Sequence, residues 1–460
     1  MVGVSEVMNE HLGCLASVPR FVAFPIAYLA GRFPALSETF VYREVTALRR
    51  RGWLVQVVSL NDPDQHDAQS LAHLCRSLHV VYGRGAKRTL IDAAAELLRR
   101  PGRSLGTFAQ SVGDALLPGE PMSLLQRLKL PLQGLAGVGL ARRLRHKAVR
   151  HIHCHFAHAP ATVGMYAARQ LQVSFSFVGH ANDLFQRRAL LRRKLTRAAF
   201  VACISHWHRE FYRGIVRLPD DQLPVIRCGV DIPDVDGRDR ATGRPLSVVS
   251  VGRLIAKKGF DVLIRSVGQL VAEGSHVHCR IVGGGPLQEY LDQLIQELGL
   301  SNSVKLLGAK TNDEVRRMLQ TADLFVLPCR VDSRGDRDGI PVALMEAMAA
   351  GVPVISGDLP AIRELVQHER TGLLVPPGDV NALSGAVRRV LSDDQLRCRL
   401  GTEGREWVKQ EFSCEVNIRR LTDAFAGRAS SGEAYKAKQT PQASGLVLET
   451  VPVGTGTGCS

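Results

Sequence analysis

Apolar residues along this chain fall into short, nearly unbroken runs bounded by glycine, proline or aspartate, separated by longer segments with apolar residues every third or fourth position. Unbroken runs suit strands buried on both faces, and their alternation with helical segments predicts parallel α/β sheets. In the first half, Phe21–Leu29 reads as a buried strand, followed by the loop Ala30–Leu36. Ser37-Glu38-Thr39 opens a helix to about Arg51, with Ser37 as N-cap, and Leu54–Leu60 is the next strand. Two basic, amphipathic helical pieces follow, about Ala86–Arg100 and Met122–Arg150. The alternation resumes with strand His151–Phe156, a helix near Pro160–Gln170, strand Phe175–Val178, the loop Gly179–Asp183, strand Phe200–Ile204, a helix through Arg217 and strand Pro224–Cys228.

Residues 230–245 are rich in Pro, Gly and Asp and break the pattern, which marks a linker. A second alternating set then begins: strands Leu246–Val251, Val277–Val282, Val304–Leu307, Leu324–Leu327, Val352–Ser356 and Gly372–Val375, with helices between them. Those helices are Phe260–Ala272, Leu287–Leu298, Asn312–Thr321, one from Pro341, one from Ala361 and Val380–Ser392, and a last helix of mixed charge lies near Glu403–Ala424. The expected organisation is a loose leader at 1–19, a first domain at 20–229, the linker at 230–245, a second domain at 246–400, a C-terminal helix at 401–426 and a disordered tail at 427–460. Two consecutive doubly wound sheets place ligands at strand carboxyl ends, in the cleft between the domains.

Composition narrows the class. No run of apolar residues is long enough to span a bilayer. Glu6 and Glu10 interrupt any basic-then-apolar leader pattern. The ten cysteines form no Cys-x-x-Cys pair, and Cys203, Cys228, Cys279 and Cys329 lie in apolar runs, which fits reduced thiols in a cytoplasmic protein. Charge is asymmetric: residues 1–240 carry 33 Lys+Arg against 19 Asp+Glu, and residues 241–460 carry 26 against 25. A basic first half calls for an anionic partner there. Two stretches could lie on a membrane surface: the leucine- and arginine-bearing 122–150, and Arg187–Arg197 with six basic residues and no acid. A helix packed on its own sheet with a solvated basic edge explains 122–150 equally well. Nucleic acid is disfavoured as partner, because aromatics are only 5% and no stacking motif interleaves the basic runs.

The chemistry concentrates in Asp336-Arg337-Asp338-Gly339-Ile340-Pro341 and the helix that follows. Pro341 suits a first helical position, and the helix is apolar all round except for Glu346. The amides of Gly339 and Ile340 stand at its positive end, so two carboxylates, Asp338 and Glu346, flank a site for anions or hydroxyls. Glu346 could instead cap a neighbouring loop. Val251-Gly252-Arg253 ends a strand and Lys257-Lys258-Gly259 leads into a helix, so Arg253 and Lys258 form a candidate diphosphate clamp. Gly283-Gly284-Gly285 permits close backbone approach to a ligand. Asp336-x-Asp338 has metal-pair spacing, but Arg337 between the two disfavours a cation. His151, His153, His155 and His158 lack a Cys or carboxylate partner at ligand spacing and read as strand-end histidines, whereas His180 ends a strand facing the cleft.

The segments VGRLIAKKG, IVGGGP, ADLFVLP and DGIPVALMEAMAAGVPVIS resemble the retaining family 4 glycosyltransferases of GT-B fold, whose mark is Glu-x7-Glu; Asp338 and Glu346 have that spacing, with Asp one methylene shorter than the usual Glu. GRFPALSETFVYREVTALRRRG and HFAHAPATVGMYAARQLQVSFSFVGHANDLF resemble the branch that builds bacterial exopolysaccharide of the colanic acid type. The resemblance spans about 20–60 and 150–395 and implies two Rossmann-like domains facing a cleft. It implies that Glu346 holds the ribose of a nucleotide diphosphate sugar, a UDP- or GDP-sugar, and that Asp338 with the Gly339 and Ile340 amides holds the sugar. Arg253 and Lys258 would neutralise the diphosphate without a metal, His180 would lie near sugar and phosphate, and Gly31 would face the donor, with Gly252, Gly284 and Pro341 lining it. The implied acceptor is a saccharide, lipid-diphosphate-linked, at the inner face of the cell membrane, with the enzyme peripheral to it. A sugar-nucleotide epimerase or hydrolase on the same architecture is the competing reading.

Overall fold

The computed structural model describes residues 24–35, 38–63, 78–180, 189–234 and 246–429. The leader, the proposed cap Ser37, most of the Gly179–Asp183 loop, the linker from 235 to 245, Arg187 and nearly all of the tail lie outside these residues. The first sheet comprises β1 (Ile26–Arg32), β2 (Val55–Asn61), β3 (His79–Val80), β4 (His151–His155), β5 (Ser174–Val178) and β6 (Phe200–Ala202), all parallel, in the order β3-β2-β1-β4-β5-β6. The second comprises β7 (Leu246–Val251), β8 (Val277–Val282), β9 (Val304–Leu306), β10 (Leu324–Leu327), β11 (Val354–Gly357) and β12 (Leu373–Val375), also parallel, in the order β12-β11-β10-β7-β8-β9. Each sheet thus repeats one doubly wound order, with its topological switch point between β1 and β4 or between β7 and β10. Strands such as Val248-Val249 and Phe325-Val326-Leu327 are fully buried, as sheets covered by helices on both faces require.

Helices α1 (Thr39–Arg50), α5 (Ala159–Leu171), α6 (Leu191–Arg197) and α7 (His206–Ile215) belong to the first sheet, and α8 (Phe260–Ala272), α9 (Gln288–Glu297), α10 (Asn312–Gln320), α11 (Val342–Ala349) and α12 (Val380–Ser392) to the second. Between β3 and β4 the chain forms three helices, α2 (Ala86–Arg99), α3 (Pro101–Leu116) and α4 (Leu124–Arg145), where two were expected. Pro101 begins α3 instead of ending a helix, and α3 buries serine, threonine and aspartate, so no apolar stripe faces inward to betray it.

Other expectations shift for local reasons. The first strand starts at Ile26 and runs through Gly31 to Arg32, so Gly31 belongs to β1 and not to the following loop. Pro224–Cys228 makes only a single bridge, Val225 to Cys203; beyond it the Arg227 amide donates to the Asn417 side chain. The helix expected from Ala361 is one 3-10 turn, Ile362–Glu364. The last helix is two: α13 (Asp394–Glu411) and α14 (Cys414–Ala429). They part at Phe412-Ser413 because Val230 takes the backbone there, its amide donating to Phe412 O and its carbonyl accepting from Cys414 N. Helix α14 also extends past 426, into the expected tail.

Helix α14 returns to the first domain. Ile418, Leu421 and Phe425 are buried in the same cluster as Tyr28, Val45 and Phe200, and the Phe425 ring lies 5.5 Å from Trp53 and 5.2 Å from His151. The second domain is thereby tied to the first by its own C-terminal helix. Truncating Phe425 opens a cavity at that junction. Phe425→Ala is expected to destabilise the protein by about 3–5 kcal/mol in chemical denaturation, as buried Phe→Ala changes do; a loss below about 1 kcal/mol would mean that the helix does not pack as described.

Candidate active site

The site assembles at the switch point of the second sheet, on the loops that leave β7 and β10. After β7, Gly252 and Arg253 lead through a 3-10 turn, Ala256–Lys258, into α8. The tight passage requires Gly259 in a left-handed conformation: its φ is 70°, and a Cβ there would stand 2.2 Å from Pro328 O. After β10, the loop through Asp336 and Asp338 leads into α11. Backbone bonds tie the two loops together, Arg330 N donating to Lys257 O at 2.9 Å.

Charges complete the tie. Lys258 Nζ is 2.9 Å from Asp338 Oδ2, and Lys257 Nζ is 3.1 Å from Asp336 and 3.6 Å from Asp338. Cys329 Sγ also donates to Asp338, at 3.3 Å. Burial would raise the Asp338 pKa, but the two lysines outweigh it and hold the carboxyl below its ordinary range. Burial would likewise lower Lys258, and Asp338 holds it above its ordinary value. Asp338 is therefore an ionised acceptor and Lys258 a full cation. The Asp336-x-Asp338 pair is a lysine-bound cluster.

Glu346 sits within α11, half-buried, and its partner comes from the other domain: Arg43 Nη2 of α1 lies 2.7 Å from Oε1. The same edge carries a hydrogen bond from Asn312 Nδ2 to Tyr42 Oη at 2.8 Å. Arg43, Asp231, Asn312, Arg316 and Glu346 line a hollow between the domains. The loop-capping alternative for Glu346 is replaced by this contact with α1. The amides of Gly339 and Ile340 donate to nothing among the described residues, and Pro341 caps α11 with φ −65°. Gly339 abuts the first domain, since a Cβ on it would lie 3.3 Å from His208 Cε1 and 3.4 Å from Ile204.

Arg253 is exposed beside this cluster. Among the three consecutive glycines, Gly283 and Gly285 serve close packing on the 252–254 loop. A Cβ on Gly283 would stand 1.9 Å from Gly252 O, and its φ is 147°. Gly284 alone faces open space. Gly252 lies beside the Lys258 stem, 3.5 Å from its Cε for an added Cβ.

From the first domain, His180 follows β5 and packs 4.7 Å from Phe40, 4.9 Å from Phe156 and stacked 6.0 Å from His155. Burial, then the nearby His155, His208 and His158, keep its pKa well below the ordinary value, so its imidazole is neutral. Gly31 at the end of β1 is bonded by Asn61 Nδ2 at 2.9 Å and lies near His158. His151, His153 and His155 form β4 itself, with His151 and His155 as its terminal residues, and all three are buried, whereas His158 caps α5, its Nδ1 accepting from the Ala159 amide. His151 and His153 bond Ser174 and Ser176 at 2.7 Å. His155 Nε2 is 2.8 Å from Glu44, a carboxylate partner that the sequence spacing hid because it comes from α1. Ligand atoms of Glu44, His153 and His155 lie within 4.8 Å of one another.

Sequence reasoning passed over Arg43, Lys257 and His208. Arg43 lies in the SETFVYREV stretch on the buried face of an otherwise unremarkable helix. His208, whose pKa burial pushes to about 3, lies in the first turn of α7, where its amide donates to the cap Ser205.

Removing the Asp338 charge leaves Lys258 buried with a weakened counterion. Asp338→Asn is expected to cost roughly 3 kcal/mol near neutral pH. Because the folded carboxyl titrates below its ordinary 3.8, that contribution is complete above the ordinary value and disappears as pH falls through the depressed one. Urea denaturation of both proteins between neutral and strongly acidic pH checks this; a difference that does not shrink on acidification would refute the ionised pair.

Two family profiles match the chain, one over each domain. The one described as Glycosyl transferases group 1 matches residues 237–407, and the one described as Glycosyltransferase Family 4 matches residues 37–233. A putative colanic acid biosynthesis glycosyltransferase, WcaL of Salmonella typhimurium, is 31% identical over 418 residues, covering 86% of this chain and 98% of the relative. The amylovoran biosynthesis glycosyltransferase AmsK of Erwinia amylovora is 29% identical over 424 residues, with the same coverage. The fold is shared with HepE of Anabaena, solved in complex with UDP, at a TM-score of 0.66 and 17% identity over 88% of this chain and all of the other. No described helix is long and apolar enough to cross a membrane. The paired switch points and these relatives identify the family, and with it a transferase: the chain is a GT-B glycosyltransferase and belongs to family 4.

Proposed function

We propose that the enzyme moves a sugar from a nucleotide diphosphate sugar, a UDP- or GDP-sugar, to a lipid-diphosphate-linked saccharide in exopolysaccharide assembly, with retention of configuration. The observation that carries this reading is the convergence, at one switch point, of Asp338 on Lys258, a half-buried Glu346 and the exposed Arg253. The names of the exopolysaccharide relatives support the pathway, and the UDP complex of HepE supports the donor class.

In this reading Glu346 binds the ribose hydroxyls, through the carboxylate that Arg43 now engages at Oε1. Asp338 accepts from sugar hydroxyls while the Gly339 and Ile340 amides, ahead of Pro341, donate to the sugar. Cleavage of the glycosyl–phosphate bond builds negative charge on the diphosphate. Arg253 and the remaining N–H donors of Lys258 stabilise it in place, and Gly252 and Gly284 let it approach the backbone. Fixed cations do what a divalent metal would otherwise do. Among the described residues no carboxylate is paired with Asp338 as a covalent nucleophile would be, and in this reading the acceptor hydroxyl attacks on the face the diphosphate leaves, and the departing phosphate takes its proton. Neutral His180, behind Gly31 and the end of β1, closes the sugar side from the first domain.

Thermal shift with UDP, GDP, ADP and their sugar conjugates, in chelator, tests the donor site. One nucleotide series is expected to raise the Tm of wild type, with Kd weakened at least about tenfold by Glu346→Ala or Lys258→Ala, the loss of one charged hydrogen bond. Equal stabilisation of wild type and Glu346→Ala, or stabilisation only with added magnesium or manganese, would overturn the assignment.

A further inference from the structure

Helices α2 and α3 are inverted relative to ordinary surface helices. On α2 the buried positions are Thr89, Asp92, Ala93 and Glu96, at helical spacing, while Leu90, Ile91, Leu97 and Leu98 form the exposed stripe. On α3 Ser104, Thr107, Ser111 and Asp114 are buried, and Leu105 and Leu116 are exposed. The first half of α4 continues the pattern, with Leu124, Leu125, Leu128 and Leu132 all more than 60% exposed. Eleven of the fifteen exposed large apolar side chains among the described residues fall between Leu90 and Leu132. A concentration of that kind marks an interaction surface.

The inversion is held in place from inside. Asp92 pairs with Arg143 at 2.6 Å, Glu96 with Arg145 at 2.6 Å, and Asp114 with Arg197 at 2.6 Å and Arg193 at 2.9 Å. Thr107 bonds Gln170 at 3.0 Å. Turning either helix to bury its leucines would strip these arginines of their counterions. Of the basic residues expected on the surface in Arg187–Arg197, Arg193 and Arg197 turn inward to Asp114 and Lys194 is buried against backbone carbonyls, while Arg192 is exposed. Within α4, the stretch from Gly134 to Leu144 is mostly packed inside, and the exposed leucines lie in its first half.

What remains outside is cationic. From Arg84 to Leu132 the acids Asp92, Glu96 and Asp114 are buried, and Glu120 is half-buried on the Leu191 amide. The exposed charges are Lys87, Arg88, Arg99, Arg100, Arg103 and Lys129, with Arg84 ahead of them. A second copy of the chain would bring these cations face to face. Anionic lipid satisfies both the charge and the leucines.

We propose that α2, α3 and the first half of α4 form a monotopic membrane seat, with leucines entering the acyl boundary of an anionic leaflet and lysines and arginines on its phosphates. It rests on the lipid-linked acceptor reading for its purpose, and on the inverted burial for its existence.

Flotation of the full-length protein tests it, with vesicles of phosphatidylcholine alone and of an equal mixture with phosphatidylglycerol. Wild type is expected to float with the anionic vesicles. Substituting Leu98→Gln, Leu124→Gln and Leu128→Gln together should weaken partitioning by roughly a hundredfold, since each removes buried apolar area. Arg99→Gln with Arg103→Gln should weaken it about tenfold or more and flatten its salt dependence. Nucleotide stabilisation, measured in parallel, should be unchanged in both variants, which shows that they fold. Wild type that does not float, or a leucine variant that floats equally, overturns the seat. So does sedimentation showing a dimer that the leucine variant dissolves, which assigns the face to a second copy. Loss of nucleotide stabilisation in wild type with flotation intact would instead overturn the donor reading and leave the seat standing.

Discussion

The site depends on one buried electrostatic junction, that of Lys257 and Lys258 with Asp336 and Asp338. Two loops leave the switch point of the second sheet in different directions, and each alone would be a glycine-bearing turn with no fixed shape. The ion pairs and the Arg330–Lys257 backbone bond join them into one surface. Desolvation opposes each charge taken singly, and the opposite charge more than offsets it, so the cluster survives only as a unit. That unit fixes where the end of α11 points, and with it the height of Glu346 over the cleft.

The two domains are then held by contacts of different kinds. Helix α14 buries Phe425 in the first domain, an apolar tie that keeps the sheets attached. Glu364 accepts from the His206 and Trp207 amides at the start of α7 and pairs with Arg227, a polar tie. Arg43 on Glu346 lies across the mouth, at a residue the ribose would claim. The mouth contact is thus the one that ligand chemistry can exchange, while the other two sit away from it. Beyond them, the inverted helices put a leucine face on the first domain.

Much of this was legible in the sequence, for identifiable reasons. The second domain was read almost element for element, because its strands are unbroken apolar runs and its turns carry glycine or proline. The spacing of Asp338 and Glu346 on either side of Pro341 located the central helix. What the chain concealed depends on long-range partners. Glu346 finds Arg43, and His155 finds Glu44, across separations no local pattern records. Helix α3 was missed because periodicity is read on the assumption that apolar residues face inward, and here serine, threonine and aspartate do. The basic run ending at Arg197 reads as a membrane-facing surface for the complementary reason: the counterion of Arg197, Asp114, lies 83 residues earlier.

The measurement closest to the central assignment is a crystal structure of the protein with the nucleoside diphosphate that stabilises it. The expected result is a ribose on the Glu346 carboxylate, with the distal phosphate within hydrogen-bond distance of Lys258 and Arg253 and the nucleotide at the carboxyl ends of β7 and β10. A nucleotide bound elsewhere, with Arg43 still on Glu346 and Lys258 still satisfied by Asp338 alone, would contradict it.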